Sequence, residues 1–318
     1  MPEWLVERGV GETRRVLVDD GRIIEARIEL EGAVRAGAII EARLGSTGRS
    51  GRNAIAIGLD GTEYLLPRGA AGFSEGALVT IEVTRETIPG NEPWKRPLAK
   101  LAGDPPRPAP APVGRELPFP SAHDVLADAG WGDLVEEARS GIIRFAGGEL
   151  RISPTPAMTL IDVDGYLPPE DLALAGAAEA ARAIRRLDIG GSIGIDLPTC
   201  GSRVVRQAAA ARVDGILAQP FERTSVNGFG FIQIVRPRSH ASIVELAQDR
   251  AAFEARALLR AAAFEPPGAK RIVAHPALQK LLEAHPDWMN ALARQLGGTI
   301  ELRSEPSLPI SGGYVEAA

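Results

Sequence analysis

Cys200 is the only cysteine of this 318-residue chain, which excludes an intrachain disulfide and any structural zinc site that needs two thiolates from one chain. The chain therefore suits a reducing cytoplasm. Histidine is nearly as scarce: His123, His240, His275 and His285 are scattered without metal-ligand spacing. No Gly-x-Ser-x-Gly or phosphate-loop sequence accompanies them, so nucleophilic hydrolase and P-loop chemistry lack support. Aromatics make up 5% of the residues, which leaves the cores to aliphatic side chains. A net charge of -5 argues against a uniformly basic nucleic-acid coat, so a polyanion must be met by a local patch or a bound metal. The opening MPEWLVERGVGETRRVLV carries acids early, and no later apolar run approaches about 18 residues. Neither export nor a membrane span is expected.

Glycine and proline are plentiful, at 35 and 25 residues, and they punctuate the chain into regions. The first hundred residues alternate short apolar runs with turns and read as all-β, with Asp20-Gly21 as a hairpin dipeptide. Residues 1–35 are expected as strands packing on the core, and residues 36–103 as a five-stranded OB-type barrel. Residues 104–120, rich in proline, read as an extended, exposed linker. An α/β core follows over residues 121–240, and a connector helix with a small α/β domain over residues 241–318. The expected fold is thus multidomain, mixing α+β and α/β, with parallel strands in the core. Within that core Met158 to Val163 reads as a strand, Pro169 to Leu187 as an alanine-rich helix and Ser192 to Leu197 as the returning strand. GILAQP and GFGFIQIVRPR read as further strands, and Ser242 to Ala263 as one long helix.

Side chains alternate along a strand, so Asp162 and Asp164 in IDVDG share a face at the strand's carboxyl end. A right-handed crossover would set Asp196, at the end of SIGIDL, beside them. Ligands of open α/β sheets bind at that edge. Three carboxylates without a cation repel one another and raise each other's pKa, a repulsion that magnesium, or alternatively manganese, relieves through oxygen ligation. The plainer reading of each acid alone is a helix or turn cap.

TLIDVDGY followed by AAEAARAIRRLDIGGSIGIDL resembles the ribonuclease E/G family. That family has a strand ending Ile-Asp-Val-Asn-Ser/Thr-Gly, an Ala/Glu-rich helix, and an Asp-Leu/Ile-Gly-Gly-hydrophobic-Ile-Asp strand. The likeness extends upstream through GGELRISPTPAM, to ETRRVLVDDGRIIEARIE at the start and to TIEVTRETIPGNEPWKRPLAKLAG at the end of the barrel. It continues downstream in GFGFIQIVRPR. The resemblance implies a magnesium-dependent endoribonuclease acting on single-stranded RNA in RNA processing or decay, with Asp162 and Asp196 as metal ligands and an OB-type RNA-binding barrel. At the family's Asn position stands Asp164, which adds charge where an amide would donate a hydrogen bond. The segment between barrel and core is too short for the family's 5'-end sensor, and RPRSHASIVELAQ lacks the family's zinc-linking cysteines. A homodimer, if one forms, has no zinc link. An RNA-binding relative with weakened or lost catalysis is the alternative. LIDVDGY also resembles the Asp-x-Asp-Gly motif of haloacid-dehalogenase-like phosphatases, but Tyr166 replaces their Thr or Val and no downstream acidic pair follows.

For RNA, Tyr64 and Phe73 are candidate stacking residues, and Arg49, Arg52, Lys95, Arg96 and Lys100 candidate phosphate contacts on the barrel. Between Cys200 and His240 six arginines face two acids, Asp214 and Glu222. Arg203 and Arg206 share a helix face there, and Arg223 and Asn227 lie in a loop that could reach a phosphate. The competing reading is that Tyr64 is barrel core and the charges are solvated surface.

Overall fold

The computed structural model describes residues 1–48, 52–89, 95–119, 121 and 123–318. Strands β1 (Glu3–Arg8), β2 (Glu12–Asp19) and β3 (Arg22–Leu30) form an antiparallel meander. The β2–β3 turn is made by Asp20 and Gly21, both at positive φ (47° and 73°), the backbone that a two-residue hairpin loop requires. Next come β4 (Ile39–Ser46), β5 (Ala54–Gly58), β6 (Glu63–Leu66), β7 (Leu78–Arg85) and β8 (Leu98–Leu101), which close into a barrel in the order β4-β5-β6-β8-β7. Its β6 and β8 run parallel, and the order is consistent with an OB-like barrel. Alternate residues point inward: Ala42, Leu44, Ala54, Ala56, Leu66, Ile81 and Val83 are buried, and the small alanines suit a narrow interior.

The proline-rich stretch departs from the expected linker. Arg115–Leu117 forms β9, which pairs parallel with β1 and completes a four-stranded sheet. Isoleucine 39 also exchanges backbone hydrogen bonds with Arg107. Proline removes donors but leaves the chain extended, so the few residues between prolines are free to add to an open sheet edge.

Helices α1 (Val125–Asp128) and α2 (Trp131–Ser140) follow, separated at Gly130, which is left-handed at φ 95°. Then come β10 (Ile142–Phe145), β11 (Gly148–Pro154), β12 (Thr159–Gly165), α3 (Pro169–Arg186), β13 (Gly191–Asp196), α4 (Arg203–Ile216), β14 (Glu222–Arg223) and β15 (Phe231–Arg236). The six-stranded sheet has the order β10-β11-β12-β13-β15-β14. Of its pairings only β12 with β13 is parallel; the rest are antiparallel, so the expected parallel core is a mixed sheet. The short β11–β12 connection through Thr155–Met158 is a hairpin, far below the dozen or so residues that a parallel crossover needs. GILAQP is not a strand: its Gly215 and Ile216 finish α4.

Helix α3 buries its alanine-rich face, and a Cβ on Gly176 would stand 2.3 Å from Val163 Cγ1. Glycine there lets the helix approach β12 closely. One continuous core joins Leu5, Val16, Ile23 and Ile28 of the meander to Ile161, Ile184, Ile193 and Ile232. The expected long helix is two, α5 (Ile243–Leu246) and α6 (Arg250–Ala263), because Asp249 caps a new start by accepting from Ala252 N–H. Strand β16 (Lys270–Ala274), helices α7 (Pro276–Ala284) and α8 (Pro286–Leu296), and strands β17 (Ile300–Ser304) and β18 (Tyr314–Ala317) complete the chain around a second core with Leu258, Leu259, Leu278 and Leu292. Among the described residues no helix is long and apolar enough to cross a membrane.

Candidate active site

On β12, Ile161 and Val163 are buried beneath α3, while Asp162 is half-buried and Asp164 exposed on the opposite face. The parallel register pairs Asp162 with Asp196 of β13, and paired residues of a ladder project to the same face. The burial pattern of β13 ends on an exposed Asp196. Two carboxylates therefore stand side by side at the carboxyl end of the one parallel pair in the sheet, with Asp164 two residues beyond.

Their proximity is electrostatic as well as geometric. Burial pushes the Asp162 carboxyl above the ordinary carboxylate range, and the negative charges of Asp164 and Asp196 push it further. The Arg151 guanidinium opposes that rise. Across the antiparallel ladder Arg151 pairs with Asp162 and Glu149 with Asp164, and Arg151 Nη2 lies 2.8 Å from Glu149 Oε1. Sequence reasoning missed Glu149 and Arg151. Their signal was present in GGELR, where residues two apart after a glycine turn share a face.

Among the described residues, no group of three or more His, Cys, Asp or Glu side chains is gathered so as to hold a metal ion. A closed cage is thus absent from this set, whereas magnesium is ordinarily held by one or two carboxylates together with waters and substrate phosphates. Hard oxygen donors that repel each other, with the Asp162 carboxyl pushed above its ordinary range by burial and by its acidic neighbours, fit that open kind of site. Asp162 and Asp196 are the residues that would hold the ion.

A carboxyl whose folded pKa is raised binds more protons folded than unfolded, so its contribution to stability falls as pH rises through the folded pKa. Above that range, millimolar magnesium should raise the thermal midpoint. The rise should shrink as pH falls through the Asp162 titration and vanish in Asp162→Asn, as read by differential scanning fluorimetry.

The nucleic-acid candidates divide. Tyr64 is 2% exposed in the barrel core, where burial pushes its phenol up to about 12; it cannot stack on a base. Its neighbour at the same strand parity, Leu66, is buried too. Phe73 is 46% exposed and remains available. Arg49 lies outside the described residues. Arg52 is exposed. Lys95 Nζ donates to Pro156 O at 2.9 Å, tying the barrel to the β11–β12 hairpin. Arg96 pairs with Glu63 at 2.7 Å and Lys100 with Glu82 at 2.9 Å. Arg206 donates to the carbonyls of Cys200 (2.7 Å) and Gly201 (2.9 Å), and so fixes the loop between β13 and α4. Arg223 grips Asp214. Asn227 Oδ1 accepts from the N–H groups of Phe229 and Phe231, shaping a turn. Most of these groups are occupied, whereas Arg203, exposed at the first turn of α4, has no ion-pair partner among the described residues.

No protein-family model matches the chain, and no curated protein matches it.

Proposed function

We propose that the chain is a metal-dependent endoribonuclease of the ribonuclease E/G type, shortened at the 5'-sensing region, that hydrolyses phosphodiester bonds in single-stranded RNA. The observation that carries this reading is the parallel register of Asp162 with Asp196, beside which burial and then the charges of Asp164 and Asp196 raise the Asp162 carboxyl. The supporting likeness is the strand, alanine-rich helix and Gly-Gly strand that bear these two acids. Asp162 and Asp196 would hold the ion, which would supply Lewis-acid polarisation of a phosphate and a more acidic water at this edge. Arg151, against Asp162, limits the negative charge that an approaching phosphate meets. The OB-like barrel supplies the surface along which the RNA strand lies, and the single buried Cys200 offers no zinc link between copies.

A second reading rests on Asp164, which adds a third negative charge at the family's amide position beside Asp162. On that reading the chain binds RNA and cuts it weakly or not at all. Incubation with single-stranded RNA bearing either a 5'-hydroxyl or a 5'-monophosphate, with magnesium or with EDTA, separates the two. The nuclease reading expects magnesium-dependent internal cleavage with rates for the two ends within about threefold, less than the ~1.4 kcal/mol of a tenfold preference. Binding without cleavage would favour the second reading, and a strong monophosphate preference would contradict the missing sensor.

A further inference from the structure

Two of the chain's few aromatic side chains are almost fully in solvent, Tyr166 at 85% and Phe229 at 81% exposed, and both stand at the carboxyl edge that carries the aspartates. Neither sits on loose backbone. Tyr166 N–H donates to Gly147 O at 3.1 Å. Gly165 before it passes so near the β10–β11 turn that a Cβ would lie 2.3 Å from Gly147 O. The Phe229 N–H donates to Asn227 Oδ1 at 2.9 Å, and its carbonyl accepts from Thr199 Oγ1 at 3.1 Å. Gly230, at φ 96°, accepts from Leu197 N–H through its carbonyl at 3.3 Å, and a Cβ there would lie 2.1 Å from Leu197 O. The turn bearing Phe229 is thereby held against Leu197–Thr199, the residues that directly follow Asp196.

A third ring lies between the edge and the sheet. Phe231 pairs with Asp196 across the β13–β15 ladder, so it shares the aspartate's face. A Cβ on Gly194 would stand 2.5 Å from Phe231 Cζ and 3.0 Å from Met158 Sδ. Glycine at 194 gives that ring room to lie over the strand beside the carboxylate.

Large apolar rings on pinned backbone, left in water, gain nothing from the chain's own packing, and a binding partner with flat apolar faces is what they suit. Unpaired bases have such faces, and stacking is tolerant of sequence. Tyr64, buried, cannot serve this purpose in the barrel.

We propose that Phe229 and Tyr166 stack the bases on either side of the scissile phosphate of single-stranded RNA, with the Phe231 ring as the sheet-side floor next to Asp196. Arg203, exposed at the start of α4 after the same strand and without an ion-pair partner among the described residues, is placed to meet a flanking phosphate. This assignment rests on the nuclease reading and deepens it.

The test is fluorescence anisotropy of a labelled single-stranded RNA with the full chain in EDTA, where cleavage is blocked. The native chain should bind. Phe229→Ala and Tyr166→Ala should each weaken binding about 10-fold with unchanged thermal midpoints, since both rings are exposed, while Phe229→Trp and Tyr166→Phe should bind as the native chain does. An RNA with abasic sites at its centre should lose affinity for the native chain and be insensitive to the alanine substitutions. Native binding of RNA that neither alanine substitution weakens, or that abasic sites leave intact, would overturn the stacking assignment. Absence of any RNA binding or cleavage by the native chain would instead overturn the nuclease reading beneath it.

Discussion

Asp162→Asn and Asp196→Asn should each lower magnesium-dependent cleavage of single-stranded RNA by about 100-fold or more, because stabilising transition-state charge through a bound ion is worth several kcal/mol. An Asn side chain has the same shape but loses the charge that draws a cation. Both positions are at least partly open to solvent, and removing a like charge relieves the repulsion that raises Asp162, so folding should be preserved or slightly improved. Asp164→Asn is the informative companion. It removes one repelling charge without removing either paired carboxylate, and cleavage should be kept or raised. Steady-state cleavage rates at matched circular dichroism spectra check all three.

Arg14→Ala should destabilise the chain by about 3–5 kcal/mol, the cost of breaking a buried ion network by deleting one partner. Arg14 is 1% exposed. Its Nη1 lies 2.9 Å from Glu7 Oε1 and its Nη2 2.6 Å from Glu12 Oε1. Glu12 also takes Arg256 at 2.9 Å, while Glu7 takes Arg260 at 2.9 Å and Asp124 takes Arg260 at 2.6 Å. One cluster thus ties the first hairpin of the chain to α6 and to the start of α1. Deleting Arg14 leaves Glu7 and Glu12 buried with less compensation. Against a typical net stability of about 5–15 kcal/mol, the loss is a large fraction, and urea denaturation should show a lower midpoint. Arg14→Met, which fills the space with apolar atoms, still leaves both carboxylates short of a partner and should also destabilise.

That network illustrates what the sequence withheld. Strand period and the Asp20-Gly21 turn made the first meander legible, and period two placed Asp162 and Asp164 on one face. The helix between Pro169 and Gly190-Gly191 made the parallel return of Asp196 readable as well. Nothing in RRVLV, however, signals that Arg14 rather than Arg15 is interior, because its partners Glu7 and Glu12 are themselves paired with Arg260 and Arg256 of α6, more than two hundred residues away. Tyr64 shows the converse case. Its parity with Leu66 in EYLL favours the barrel-core alternative over base stacking, and both side chains are buried. The break between α5 and α6 turned on one cap at Asp249, and β9 on a free sheet edge that only the folded meander provides. Arg206, Arg223 and Asn227 lie in the most basic stretch of the core, yet their partners are local carbonyls, amides and Asp214, which composition does not reveal. The exposure of Phe229 and Tyr166 depends on turns held by Asn227, Thr199 and Gly147, partners that strand parity does not reveal.

The pairing of Asp162 with Asp196 as a cation site is tested most directly by electron paramagnetic resonance of manganese titrated into the native chain without RNA. The expected result is one bound manganese per chain, displaced by excess magnesium, with affinity reduced at least about tenfold, or ~1.4 kcal/mol, in Asp162→Asn and in Asp196→Asn. Manganese binding that survives both substitutions unchanged, or no binding by the native chain at pH values where Asp162 is ionised, would contradict it.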